Sequence, residues 1–245
     1  MAMRRATISR IAALALLTPL SRPIAAQETH PYRPGIDVLD YAFVITLPDT
    51  GSHVRGDAML TIRRTARVDT LVLDLRGLRV TRVMLDERAR RFRRTDSTLH
   101  IPLPRGDSGH YRIRVFYDGR VTDGLIARRD SAGRWTYFGD NWPNRARHWL
   151  PTIDHPSDKA TVTWSVNAPL SRTVVANGSQ FQRSVSGAGA RARATTRWRE
   201  AMPIPTYLMV IAAAPLARDI LMAAQEIAPA GKSVAKPQTV KGAGS

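Results

Sequence analysis

From Ile36 to Ala213 the apolar residues of this chain recur mostly at every second position, and that spacing constrains its fold more than any other feature. His110–Tyr117 reads HYRIRVFY, an alternation that stops at Asp118-Gly119. Only an extended strand sorts such a stretch into one apolar and one polar face. The same period runs through Ile36–Leu47, which is closed by Pro48-Asp49-Thr50-Gly51, and through His53–Ile62, which can pair back across that turn. Thr70–Leu75 is a short strand ended by Gly77. Leu78–Leu85 alternates with a one-residue slip, the mark of a bulge. Arg90–Arg94 and Thr98–Leu103 flank a polar turn. Thr161–Ala168, Thr173–Ala176, Arg191–Arg199 and Tyr207–Ala213 follow, with Asn177-Gly178 forming a hairpin-type turn. Short strands separated by turn signals, without an amphipathic helix, predict an all-β fold: an antiparallel β-sandwich or open curved sheet. No Pro/Gly/Ser-rich linker divides the strands, so one β-domain over residues 27–217 is expected.

Both ends of the chain differ from this pattern. Arg4, Arg5 and Arg10 precede the apolar run Ile11–Leu20, and Pro23-Ile24-Ala25-Ala26 follows before Gln27. This is the layout of a secretory signal peptide over residues 1–26, cleaved after Ala26, and it predicts a secreted or periplasmic protein. The apolar run is too short to span a bilayer, and no other stretch is long enough, so no transmembrane segment remains after signal cleavage. Residues 218–245 change character again. From Asp219 arginine disappears, three of the four lysines occur (Lys232, Lys236, Lys241), and small residues close the chain. At most one short helix, Ile220–Ile227, is expected in a low-complexity tail. The shift reads either as a truncated or frame-shifted frame or as a flexible end. With no cysteine, disulfides and thiolate zinc sites are excluded.

The formal net charge of +17 raises the question of nucleic acid. Loss of Arg4, Arg5, Arg10 and Arg22 with the leader would lower it to +13. The remaining arginines are scattered through alternating strands, which predicts a solvated basic surface and no nucleic-acid partner.

Phe138–Trp164, FGDNWPNRARHWLPTIDHPSDKATVTW, holds three prolines, three tryptophans and two histidines among acids and arginines. Pro151 and Pro156 fix the backbone on either side of Asp154, which can accept loop N–H bonds and be neutralised by Arg147 or Lys159. Those features predict a rigid scaffold turn entering the strand at Thr161. His155 reads as a surface residue or as a mildly pH-sensitive one, with no catalytic role. Ala146, Arg147, Leu150, Pro151, Asp154, Pro156, Lys159 and Ala160 stand where the N-terminal domain of aminopeptidase N-like zinc peptidases reads A-R-x-x-[FL]-P-x-x-D-x-P-x-x-K-A. Val174–Gly178 resembles that family's strand and turn ending in S/A-N-G. Trp198–Ala213 resembles its F-x-x-[ST]-x-P-[MI]-[SP]-[ST]-Y-L strand, and Leu71–Leu85 fits its pair of aliphatic strands. The resemblance runs from Tyr32 to Pro215.

The resemblance implies a saddle-shaped β-domain that closes one side of an active site built by a separate catalytic domain, with peptide N-termini as substrates and zinc as the cofactor of that domain. Asp140 falls where the family commonly carries a glutamine that meets the substrate's free α-amine. A carboxylate facing an ammonium is chemically sound, which makes Asp140, with Asn141 beside it, the candidate substrate-binding residues. A turn-forming Asp-Asn pair is the alternative. Tyr137, Phe138 and Trp142 can wall such a pocket, with core packing expected for at least two of them. No catalytic or metal residue is assigned. H-E-x-x-H and G-x-M-E-N do not occur, and His30, His53, His100, His110, His148 and His155 have no i, i+4 partner. No G-x-S-x-G elbow, P-loop or G-x-G-x-x-G is found either. Two functions remain: the β-domain of a secreted zinc aminopeptidase, incompetent alone, whose partner is the missing catalytic domain; or a non-catalytic module that binds a protein or an anionic surface.

Overall fold

The structure is a computed structural model and describes residues 33–216. The expected signal peptide and low-complexity tail lie outside the described residues. In chain order the strands are β1 (Ile36–Thr46), β2 (His53–Arg64), β3 (Thr70–Asp74), β4 (Arg79–Leu85), β5 (Arg88–Ala89), β6 (Arg93–Arg94), β7 (Thr98–Pro102), β8 (Gly109–Arg120), β9 (Leu125–Arg129), β10 (Trp135–Gly139), β11 (Lys159–Pro169), β12 (Thr173–Ala176), β13 (Ser179–Ser186), β14 (Arg193–Pro205) and β15 (Ile211–Ala214). Among the described residues the only helical segments are three single 3₁₀ turns, and no helix is long and apolar enough to cross a membrane. The all-β class read from the alternation is correct.

Eight strands form one sheet in the order β13-β14-β11-β1-β2-β8-β4-β5. Two smaller sheets, β12-β15-β10-β9 and β3-β7-β6, complete the fold. β1 and β2 form the expected antiparallel pair, and β4 shifts register between Val80 and Arg82, where its alternation slips. One ladder departs from the antiparallel expectation. β1 runs parallel to β11, Asp40 opposite Thr161 through Thr46 opposite Asn167. Parallel partners need a long crossover, and here residues 47–158 lie between them.

The inner face of the large sheet and the two smaller sheets share one apolar cluster. It takes Phe43, Leu60, Val115 and Val162 from the large sheet, Leu71 and Leu99 from the three-stranded sheet, and Val174 and Ala213 from the four-stranded sheet. Its centre is aromatic. Tyr41 stacks on Phe43 at 5.4 Å, Phe43 meets Trp164 at 5.0 Å, and Trp164 stacks on Trp149 at 5.7 Å. Each such ring contributes about 1.5–3 kcal/mol by leaving water. The fit is close enough to require glycine opposite Tyr117. A Cβ at Gly56 would lie 2.1 Å from the ring.

Three strands carry no clear alternation and were not expected: β9 (LIARR), β10 (WTYFG) and β13 (SQFQRSVS). β8 also continues through Asp118-Gly119 to Arg120, because Asp118 pairs with Arg55 and Arg79 on its neighbours. Asn177-Gly178 is not a hairpin turn. β12 pairs with β15 whereas β13 pairs with β14, so the dipeptide carries the chain from one sheet to another. Gly178 has φ +79°, and a Cβ there would lie 1.9 Å from the Arg199 carbonyl oxygen. The Asn177 amide donates to the Leu208 carbonyl at 2.9 Å and accepts from Val210 N–H at 2.8 Å, which pins the corner to the β14–β15 connection.

Candidate functional site

The connection from β10 to β11 carries the Asp140 and Asp154 positions singled out in the sequence, and its two ends are built differently. At the far end Asp154 is buried. Its Oδ2 accepts from Arg147 Nε at 3.0 Å and from Arg147 N–H at 3.3 Å, and its Oδ1 accepts from the Thr206 hydroxyl at 2.7 Å. Its own N–H donates to Asp74 Oδ2 at 3.0 Å, and Asp74 takes a two-pronged ion pair from Arg33. Thr152 forms a backbone bridge to the same Asp74, at the end of β3. Two buried carboxylates and two arginines thus join four chain segments, with charge-assisted bonds on both oxygens of each acid. Arg147, not Lys159, neutralises Asp154; Lys159 is exposed. His155 is buried rather than on the surface, with Nδ1 2.6 Å from the Ser157 hydroxyl.

At the near end Asp140 continues the face of β10 that carries Phe138, since alternate strand residues share a side. Its N–H is tied to the Gly124 carbonyl at 2.7 Å, while its side chain remains 43% exposed. Arg145 Nη1 reaches Asp140 Oδ2 at 2.6 Å, and Arg145 Nε lies 3.9 Å from Asp123, a second exposed carboxylate. His148 Nε2 lies 3.9 Å from Asp123 on its other oxygen. Desolvation holds the His148 imidazole below its usual range, against the pull of Asp123, so it is neutral at pH 7. Asp123 and Asp140 thus share the Arg145 guanidinium, with Arg76 adding a second positive charge near His148, and Asp140 keeps one oxygen free of Arg145.

Asn141, the next residue, points the other way. It is 1% exposed. Its Nδ2 donates to the carbonyls of Thr206 and Met209 at 3.2 and 2.6 Å, and its Oδ1 accepts from Trp149 Nε1 at 2.7 Å. These bonds hold the chain beneath Asp140 against the 206–209 turn. Sequence reasoning paired the two residues because they are adjacent; the structure separates them into an outward carboxylate and an inward amide.

The rim is bordered by apolar surface. Phe138 pairs across the four-stranded sheet with Ile126 and Ala212, and Ala212 pairs with Val175, so the four form one row on one face. Phe138 and Val175 are each 41% exposed. Two residues past Asp140, Trp142 is 63% exposed and meets Tyr207 edge-on at 5.1 Å, with exposed Leu208 next in sequence. Of the three expected wall residues only Tyr137 packs in the core, where its hydroxyl donates to the carbonyls of Pro48 and Gly51. Phe138 and Trp142 correct the expectation of two core residues. For Phe138 the signal is strand parity, visible only once β10 is recognised as a strand.

A resident metal does not fit this chain's described residues. No three histidine or acidic side chains stand together there, and Asp154 is already saturated by Arg147 and Thr206. No chemical step is therefore derived through a metal held here.

Comparison with known proteins identifies the architecture. A family model described as the peptidase M1 N-terminal domain matches residues 39–208. A solved M1 zinc metallopeptidase from Deinococcus radiodurans is 28% identical, with TM-score 0.63, over 82% of this chain and 50% of that one. A form of the Deinococcus radiodurans enzyme bound to a Tyr-Ser-Ala substrate gives 28% identity and TM-score 0.64 over the same shares, 82% and 50%. Native leukotriene A4 hydrolase from Saccharomyces cerevisiae shares the fold at 23% identity and TM-score 0.61, over 78% of this chain and 32% of its own. The chain spans about half the length of the Deinococcus proteins it matches. No curated protein matches the sequence.

Proposed function

This chain belongs to the peptidase M1 N-terminal domain family, and we propose that it is the substrate-facing β-domain of a secreted or periplasmic zinc aminopeptidase. The observation that carries this reading is the half-open Asp140 carboxylate just past β10, between exposed Phe138 on the four-stranded sheet and exposed Trp142 in the connection that follows. Apolar surface of that kind on a β-domain marks a face that another domain covers. A catalytic domain seated on it would put Asp140 at the edge of a shared cleft. Zinc held by that domain would supply the activated water that attacks the first peptide bond.

This chain's own residues have a narrower task. Asp140 receives the substrate's α-ammonium as a charge-assisted hydrogen bond, with Arg145 holding the carboxylate in place. Asn141 acts behind it, fixing the backbone through Thr206, Met209 and Trp149. Holding the amine sets which bond lies over the reacting water, and that positioning is worth several orders of magnitude in rate. The chain on its own supplies no nucleophile and does not cleave peptides.

The test uses aminoacyl anilides with the chain alone and with an M1 catalytic domain made without its own β-domain. The expected result is no turnover by the chain with or without zinc, and a rise in turnover on mixing. Trp142→Asp should abolish that rise, and Asp140→Asn should raise KM for free-amine substrates. Zinc-dependent turnover by the chain alone would overturn the assignment.

A further inference from the structure

One segment breaks the scattering of arginines expected from the sequence. Arg88 to Arg94 reads RARRFRR. β5 is the last strand of the eight-stranded sheet and β6 the last strand of the three-stranded sheet, so this segment runs along two sheet edges at once. Phe92 packs against the core and anchors it. Arg94 is spent inward, donating to the carbonyls of Leu75 and Leu78 at 2.7 and 2.9 Å. The other four are available. Arg88 and Arg91 are exposed, Arg90 is held through Nε by the Pro102 carbonyl at 2.8 Å, and Arg93 meets His100 Nδ1 at 3.3 Å. Burial, with Arg93 beside it, keeps His100 below its usual range and so neutral at pH 7.

No carboxylate among the described residues pairs with any of these four guanidiniums. Arginines on the outer face of the large sheet are treated differently. Arg114 carries Asp57 at 2.6 Å, Arg79 carries Asp118 at 3.0 Å, and Arg199 carries Asp40 at 2.6 Å. Of the acids adjoining the segment, Asp96 acts on the inward Arg94, and the two on the other side are engaged elsewhere. Asp86 accepts from Arg112 N–H at 2.8 Å, and Glu87 lies 3.5 Å from the Arg112 guanidinium. The four guanidiniums thus form a positive edge without direct carboxylate partners, in a protein that elsewhere pairs many of its arginines.

We propose that Arg88, Arg90, Arg91 and Arg93 dock the protein on an anionic membrane surface by binding lipid phosphates. Guanidiniums match phosphate oxygens in planar, two-pronged bonds, and an edge offers several at once. A nucleic-acid groove would interleave them with exposed aromatic platforms, whereas Phe92, the one aromatic here, faces the core. The proposal does not depend on the aminopeptidase reading.

The test is co-sedimentation of the full chain with phosphatidylcholine vesicles, with and without about one-fifth phosphatidylglycerol, at low and high salt. Binding should require phosphatidylglycerol and weaken with salt. Each arginine near the surface should strengthen partitioning roughly fivefold, so R88A/R91A should weaken it about 25-fold. R183A/R191A removes the same charge from exposed sites on and just after β13, at the other end of the large sheet, and should change partitioning less than about twofold. Unchanged melting temperatures would show that both variants are folded. Equal losses from the two variants, no binding to phosphatidylglycerol vesicles, or an oligonucleotide outcompeting them through the same edge would each overturn the proposal.

Discussion

Asp140 and Asp154 lie on one connection between two strands, yet they have opposite surroundings. Asp154 is buried, and both of its oxygens are filled by Arg147 and Thr206. Asp140 is half open, with Arg145 on one oxygen. An acid whose acceptor sites are all met by its own protein is a fastener. An acid with an acceptor site left over at an open rim can take a ligand. The same residue type in the same loop therefore serves as a fastener at one end and an open acceptor at the other, and only the count of filled sites separates them.

The largest expected effect tests the closed end. Asp154→Ala leaves Arg147 and the Thr206 hydroxyl without their acceptor in a dry site and should cost about 3–5 kcal/mol in chemical unfolding. A loss below about 1 kcal/mol, typical of an exposed pair, would erase the distinction between the two acids. Next comes Asn141→Leu, which strands the Trp149 indole N–H and the carbonyls of Thr206 and Met209. About 2–3 kcal/mol should be lost, read from the shift in denaturation midpoint at unchanged slope.

Asp158, four residues past Asp154, sharpens the comparison through pH. Desolvation raises its carboxyl from 3.8 to about 7, against a hydrogen bond from Val38 N–H and with Asp37 adding to the rise. The folded state therefore holds a proton that the unfolded chain has released, and stability falls as pH rises from about 4 to about 7. Asp158→Asn should flatten that slope by on the order of 1–2 kcal/mol in melts at pH 5 and pH 8, with the variant favoured at the higher pH. An identical slope in both proteins would show that Asp158 is ionised throughout. The smallest stability change belongs to Asp140→Asn, less than about 1 kcal/mol because the pair with Arg145 is solvent-exposed. Its effect should appear in ligand binding. An aminoacyl amide should perturb the Trp142 resonances of the native chain, its N-acetyl counterpart should not, and the variant should not distinguish the two.

Strand parity made the interior of the fold legible before any coordinates. Val162, Trp164 and Val166 alternate inward along β11 as their spacing requires. What parity missed has a common cause. β13 is an edge strand whose residues are nearly all exposed, so no face of it had to be apolar, and β9 and β10 place polar and apolar residues without strict alternation. Asn177-Gly178 has hairpin chemistry, but its φ and the Asn177 amide serve a crossover, and turn type alone does not say which strands are joined. The candidate site was half legible. The sequence brought forward Asp140, yet the inward path of Asn141 depends on the carbonyls of Thr206 and Met209, more than sixty residues away. The run of arginines at the β5–β6 edge was visible as letters, and its lack of carboxylate partners was not.

The parallel ladder between β1 and β11 has a consequence for how the protein is made. β1 sits at the middle of the large sheet, with β2 on one side and β11 on the other. Its partner on the second side lies about 120 residues downstream, so the sheet cannot close until that length has left the ribosome. At roughly 5–20 residues per second, a growing chain shows an open edge for roughly 6–24 s. Through that interval a half-built sheet offers unpaired N–H and C=O groups beside Tyr41, Phe43 and Ile45, the surface on which nascent chains stick to one another. Until β11 arrives to take its place, that side of β1 is an open strand edge of the nascent sheet.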